Sequence, residues 1–162
     1  MKEISWDSEG PYFEDLEIGK KIKSWPRRTL SNFDNLLWLL LSGDQTAIYV
    51  DKNFAKSLGY KERPINSVFL INLVLGMSIK DTSKNSLALV SIDYAKVLKP
   101  VYSGETIEVE SEVIEKRESK TRKEAGVVTW IHRGLNEKGE IVVEMKRTNL
   151  VYKRIYTPFK NE

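Results

Sequence analysis

The segment Ser67 to Ile79, SVFLINLVLGMSI, limits this chain more than any other, because apolar side chains fall on nearly every face of the helix it would form. A helix that is apolar all round has to be surrounded, either by protein or by lipid. The uncharged run that contains it, Pro64 to Ile79, is sixteen residues long and includes Asn66, Ser67, Asn72 and Ser78. That is short and polar for a membrane span, which takes about 20 predominantly apolar residues. A buried helix with protein wrapped around it is therefore expected, and no membrane partner. The wrapping follows directly in the chain: SLALVSIDYAKVLKPV, ETIEVESEVIEKR, GVVTWIHRGLN and EIVVEMKRTNLVYKR are rich in β-branched and aromatic residues. In the second of these, Ile107, Val109 and Val113 alternate with Glu108, Glu110 and Glu112, the period of a strand with one face buried. NEKGE reads as the turn joining the last two strands. A helical first half followed by consecutive strands makes the fold class α+β, an antiparallel curved sheet around a central apolar helix.

Upstream, KKIKSWPRRTL reads as a short extended segment in which Pro26 discourages a central strand position. Ser31 with Asp34 three residues on is a capping signal for the helix containing NLLWLLL, which Gly43 can end. DKNFAKSLGY offers a second short helix, with Asp51 placed to cap its N-terminus and Gly59 to stop it. SGDQTAIYV is thus a connector between two helices, and it carries Asp44 and Tyr49.

The chain has 162 residues and an apolar fraction of 41%, enough for one core, so a single domain over 1–162 is expected, with residues 1–10 as an N-terminal arm. It has no cysteine and one histidine, His132, which excludes disulfides, thiolate chemistry and a Cys/His zinc site, so no metal is expected. Lacking cysteines, and with an acidic N-terminus that has no apolar h-region, the chain is expected to be cytoplasmic. The formal charge of +3, from 26 basic and 23 acidic residues, does not point to a nucleic-acid partner. The mixed run EKRESKTRKE, residues Glu115 to Glu124, reads as a solvated hairpin loop, with a phosphate contact as the alternative. His132 shares a strand face with Val128 and Trp130 and is expected to be a structural histidine hydrogen-bonded within the sheet, with a role at the site as the alternative.

Three stretches carry a resemblance. GPYFEDLEIGKKI, SGDQTAIYVDKNFAKSLGYKERPINSVF and EKRESKTRKEAGVVTWIHRGLNEKGEIVVEMKRTNL resemble the entry segment, active-site segment and closing hairpin of the MaoC-like dehydratase family, over roughly residues 10 to 154. The resemblance implies a hotdog fold and hydration or dehydration of 2-enoyl or 3-hydroxyacyl thioesters of coenzyme A, with the thioester as ligand and no separate cofactor. It also implies a homodimer or higher homo-oligomer, with a hetero-partner hotdog subunit as an alternative. The family's motif runs Asp-x-Asn-Pro-x-His; Asp44 matches its first position, Thr46 and Ala47 replace the Asn and Pro, and Tyr49 stands where the His belongs.

Hydration of an enoyl thioester needs a base for water, an acid for the α-carbon and stabilisation of the enolate oxygen between them. Asp44 is the candidate base, provided partial burial raises its pKa above the reference value of about 3.9. Tyr49 is the candidate donor, since a tyrosine of ordinary pKa, about 10, keeps its proton at neutral pH. Backbone N–H groups at the start of the apolar helix, around Asn66, Ser67 and Val68, are the candidate thioester-binding donors, with simple capping by Asn66 and Ser67 as the alternative. Asn72 is expected to be satisfied in the core or to face the acyl tunnel. Arg27, Arg28, Lys96 and Lys99 are candidates for the phosphates of coenzyme A. A non-catalytic thioester-binding subunit and a hotdog thioesterase, which can work with a carboxylate and no histidine, stand as alternatives to the hydratase.

Overall fold

The structure, a computed structural model, describes residues 10–158, so the expected N-terminal arm lies, apart from Gly10, outside the described residues. A short 3-10 turn, Phe13–Asp15, leads into strand β1 (Lys21–Thr29), helices α1 (Asn32–Ser42), α2 (Ala47–Val50), α3 (Lys52–Ser57) and α4 (Ser67–Thr82), and strands β2 (Ser86–Val97), β3 (Thr106–Glu118), β4 (Ala125–Leu135) and β5 (Ile141–Tyr152). The strands form one antiparallel sheet in the order β1-β3-β4-β5-β2. Pro26 is where its missing N–H predicts, on an edge strand, at the break in register between Ser24 and Arg28; its bond to Trp25 is cis.

Three of the four helix starts have a visible side-chain cap; α2 has none. Ser31 and Asp34 form the reciprocal capping box of α1, and Gly43 ends that helix at φ 69°, where a side chain would be strained. Asp51 accepts the N–H groups of Asn53 and Phe54 and caps α3. Asn66 accepts those of Val68 and Phe69 and caps α4.

Helix α4 packs Leu70, Val74, Ser78 and Thr82, one face at intervals of a turn, against the sheet. Around it lie Leu30, Ile65, Val101, Ile107, Val109, Val143 and Met145, while Phe13, Leu16, Val113, Val128, Trp130 and Val151 form a second cluster. The backbone comes close at Gly134, where a Cβ would stand 2.6 Å from Val74, and at Gly126, where it would overlap the Phe13 ring.

Several expectations need correction. The sheet covers one face of α4, not the whole helix: Val68, Asn72, Gly76 and Ile79 are exposed, so Asn72 is not a core residue. The helix also continues three residues past Ile79, to Thr82. The connector after α1 is not all loop, because Ala47–Val50 makes a helical turn that carries Tyr49. The charged run begins inside β3, with Glu115 opposite Thr129 and Glu118 opposite Gly126, leaving 119–124 as the loop. Alternating charges there project to solvent while the backbone keeps its ladder, so composition alone does not mark the strand's end. No helix among the described residues is long and apolar enough to cross a membrane.

Candidate functional site

The N-terminus of α4 is the point where the sequence candidates converge. The Asn66 amide bridges two elements: its Oδ1 accepts the N–H of Val68 at 2.9 Å and of Phe69 at 3.1 Å, and its Nδ2 donates to Asp44 Oδ2 at 2.7 Å. Its own backbone N–H donates to Asn35 Oδ1 at 2.8 Å, and both asparagines are buried. Asn35 was not singled out from sequence; its signal is an amide inside the NLLWLLL run, on the one stripe of α1 that turns inward with Leu39.

Asp44 is half-exposed. Its Oδ1 accepts the Thr46 hydroxyl at 2.6 Å and the Thr46 N–H at 2.9 Å. These bonds, with that from Asn66, hold its carboxyl below the usual carboxylate range. The expected upward shift is therefore corrected: hydrogen bonds to the charged form outweigh desolvation at a half-exposed position. Tyr49, from the single turn α2, reaches the same helix start. Its hydroxyl donates to Ser67 Oγ at 2.9 Å and lies 3.4 Å from the Ser67 nitrogen as acceptor. Of the three candidate donors, the Val68 N–H is thus occupied by the Asn66 cap, and Ser67 faces the phenol.

Beside the Tyr49–Ser67 pair opens a cavity of about 270 Å³, walled by Ile48, Tyr60, Pro64, Ile65, Leu70, Val97 and Leu98, with Lys99 and Pro100 at its rim. Asp44 and Val68 are not among its lining residues; Tyr49 and Ser67 are. Aliphatic side chains interspersed with the Tyr49, Tyr60 and Ser67 hydroxyls give it a mixed lining that can receive a short acyl group carrying a carbonyl. Most of these walls were not foreseen, because they come from three separate segments that only the fold assembles.

The phosphate candidates do not gather. Arg28 pairs with Asp34 at 2.6 Å, Lys99 with Glu140 at 2.6 Å, and Lys96 stands over the Tyr94 ring at 5.2 Å. No group of His, Cys, Asp and Glu suited to a metal ion occurs among the described residues.

His132 is fully buried, and its ring stacks near Trp130 at 6.0 Å between centroids. Arg147 Nε donates to His132 Nε2 at 3.1 Å, so Nδ1 carries the proton and donates to Ser111 Oγ at 2.7 Å. Arg147 Nη2 also donates to Thr82 Oγ1 at 3.1 Å, tying the end of α4 to the sheet. Burial, and then the neighbouring guanidinium, hold the His132 pKa well below its ordinary value, while burial alone lowers that of Arg147 to about 10. The structural reading of this histidine agrees with the geometry.

Comparison with known proteins places this geometry. A family model described as mesaconyl-CoA hydratase matches residues 3–159. The mesaconyl-CoA hydratase of Cereibacter sphaeroides is 33% identical over 146 residues, covering 90% of this chain and 42% of that one. A chain described as a MaoC domain dehydratase from Chloroflexus aurantiacus superposes with TM-score 0.87 at 32% identity, over 93% of this chain and 43% of that one. A Mycobacterium tuberculosis protein with a double hotdog fold superposes with TM-score 0.82 at 17% identity, over 96% of this chain and 47% of that one, a likeness of fold alone. The chain thus spans less than half the length of these relatives, matching one hotdog unit. On the extent of the family match and the shared fold, this chain belongs to the mesaconyl-CoA hydratase family, among the MaoC-like hotdog dehydratases.

Proposed function

We propose that this chain is one hotdog unit of an acyl-CoA hydratase-dehydratase acting on 2-enoyl and 3-hydroxyacyl thioesters of coenzyme A, of the mesaconyl-CoA type named for its relatives. The observation that carries this is the Tyr49–Ser67 pair in the wall of the cavity, at the N-terminus of a 16-residue helix. A thioester oxygen that displaces the mutual Tyr49–Ser67 contacts there meets two hydroxyls and the Ser67 N–H at the positive end of the helix dipole, the environment an enolate oxygen needs. Tyr49 is then the donor, in place of the family's imidazole. Asp44, ionised at neutral pH, is the proton acceptor for water and also orients the Asn66 cap. The unit works in a homodimer or beside a second hotdog subunit, since its relatives are more than twice as long as the matched region.

A second reading, a unit that binds the thioester without turning it over, is favoured by one observation. The Asp44 carboxylate already accepts three hydrogen bonds, which weakens it as a base. The test follows loss of the enoyl-thioester absorbance with crotonyl-CoA and mesaconyl-CoA, alongside calorimetric binding, for the wild type, Tyr49→Phe and Asp44→Asn. Turnover reduced in both variants supports the hydratase; binding without turnover supports the second reading. An absence of binding to any acyl-CoA rejects both.

A further inference from the structure

Helix α1 buries an amide and turns its leucines outward: Asn35 is 4% exposed, while Leu36, Leu40 and Leu41 are 51%, 72% and 77% exposed. A buried amide is costly unless it is hydrogen-bonded, and an apolar residue would serve the packing of this stripe better. What the Asn35 amide does is accept the backbone N–H of Asn66, at 2.8 Å, from a residue 31 positions along the chain.

That bond bears on which N–H groups at the start of α4 are left for a ligand. The Val68 and Phe69 N–H groups go to Asn66 Oδ1 at 2.9 and 3.1 Å, and the Leu70 N–H goes to the Asn66 carbonyl at 3.0 Å. The Asn66 N–H goes to Asn35. Of these groups, the Ser67 N–H is the one whose partner a ligand can replace, since it meets only the Tyr49 hydroxyl, at 3.4 Å. Its direction is set by the residue before it. Asn66 is held at its own N–H by Asn35 and at its carbonyl by Leu70, so the rotation between the two, ψ 131°, is fixed from both ends. The planarity of the peptide then fixes the Ser67 N–H along with that carbonyl. Asp44 holds the side chain of Asn66, at 2.7 Å, and leaves this rotation to Asn35.

We infer that Asn35 is a positioning residue for the reaction: by holding the backbone of Asn66 it aims the Ser67 N–H at the thioester oxygen that gains negative charge. The inference rests on the proposed thioester reading of the cavity beside Tyr49 and Ser67. Asn35 is not among the residues that line that cavity, so it acts through Asn66 and not by touching the acyl group.

The test uses the full chain and acetoacetyl-CoA, a thioester whose enolate absorbs in the near ultraviolet and accumulates where a site stabilises negative charge on its oxygens. Calorimetry reads its affinity, and absorbance reads the fraction bound as enolate. Asn35→Ala leaves room for a water to satisfy the Asn66 N–H without fixing it. This variant is expected to bind acetoacetyl-CoA within about threefold of wild type, yet to yield at least about tenfold less enolate, the scale of a misaimed donor. Leu39→Ala, at the other buried position of α1, is the control for loosened packing. It is expected to lower the thermal midpoint at least as far as Asn35→Ala and to keep the wild-type enolate yield. Wild-type yield in Asn35→Ala, or equal losses in Asn35→Ala and Leu39→Ala, overturns the inference. Where Asn35→Ala does not fold, Asn35→Gln, which sets the same amide one methylene further out, is expected to show the same loss, and wild-type yield in it overturns the inference. A wild type that binds acetoacetyl-CoA without forming enolate also overturns it, and leaves thioester binding standing. A wild type that binds no acetoacetyl-CoA overturns the thioester reading of the cavity, and the inference with it.

Discussion

Tyr49 and Asp44 both reach the start of α4, but through different atoms. Tyr49 faces the cavity and Ser67; Asp44 holds the Asn66 amide and does not line that cavity. Removal of the phenol oxygen in Tyr49→Phe is expected to lower kcat with crotonyl-CoA by about 10²-fold, the scale of losing one oxyanion donor, with little change in KM. Steady-state kinetics on the enoyl absorbance checks it, and a kcat within a factor of two of wild type counts against Tyr49 as donor. His132 supports a prediction about acid. Its folded pKa lies well below the reference value near 6.5, so in the interval between the two the unfolded chain binds a proton that the folded chain refuses. Its contribution is therefore complete above about pH 6.5 and lost as pH falls below it. Urea midpoints measured from pH 7.5 down to 5 should fall, and less steeply in His132→Gln; parallel slopes for the two proteins would refute the assignment.

Helix α4 depends on a cap that also belongs to the site. Asn66 is buried, accepts two backbone N–H groups of α4 and donates to Asp44. Asn66→Ala leaves those donors and one carboxylate oxygen without a partner, and should destabilise the fold by about 1–2 kcal/mol. Chemical denaturation measures this, and Asn66→Asp separates the two roles. An aspartate still caps the helix but sets a second carboxylate against Asp44, so activity should fall further than stability. Capping was legible in the sequence for α1 and α3, where Ser31, Asp34 and Asp51 lie three or fewer residues from the N–H groups they bind. The bond from Asn66 to Asp44 was not, because it joins residues 22 apart whose approach depends on how α1 and α4 pack.

The faces of the molecule differ in kind. The outer face of the sheet carries paired charges, such as Lys23 with Glu108 at 2.8 Å and Arg133 with Glu112 at 2.8 Å, and is built for water. The β1 edge is blunted by Pro26 and by Lys21, Lys23, Arg27 and Arg28, as expected of an edge that should stay unpaired. Elsewhere α1 exposes Phe33 at 68%, Leu40 at 72% and Leu41 at 77%, α4 exposes Val68 and Ile79, and the β2 edge exposes Leu89, Val90 and Ile92. Apolar surface on this scale is what association would cover, and a second hotdog unit is the proposed occupant, given relatives more than twice the length of the matched region. Light scattering is expected to give a mass of at least twice 18.7 kDa at micromolar concentration, and Leu40→Lys/Leu41→Lys to shift it toward the monomer. A wild-type monomer of 18.7 kDa at that concentration would contradict self-association through this face.

Sequence by itself determined the elements whose causes are local or periodic: the capped helices, the all-apolar α4, the alternating β3 and the edge position implied by Pro26. Those signals act within a few residues of one another or repeat along one strand, so they survive without a three-dimensional context. The tertiary structure alone decided that Asn35, Asn66 and Asp44 form one polar bridge, and that Tyr49 faces a cavity walled from three segments. It also decided that Asp44 is a more acidic carboxyl and not a raised one. Solvation and hydrogen bonding around a side chain are set by which distant segments pack against it, and no spacing along the chain encodes that.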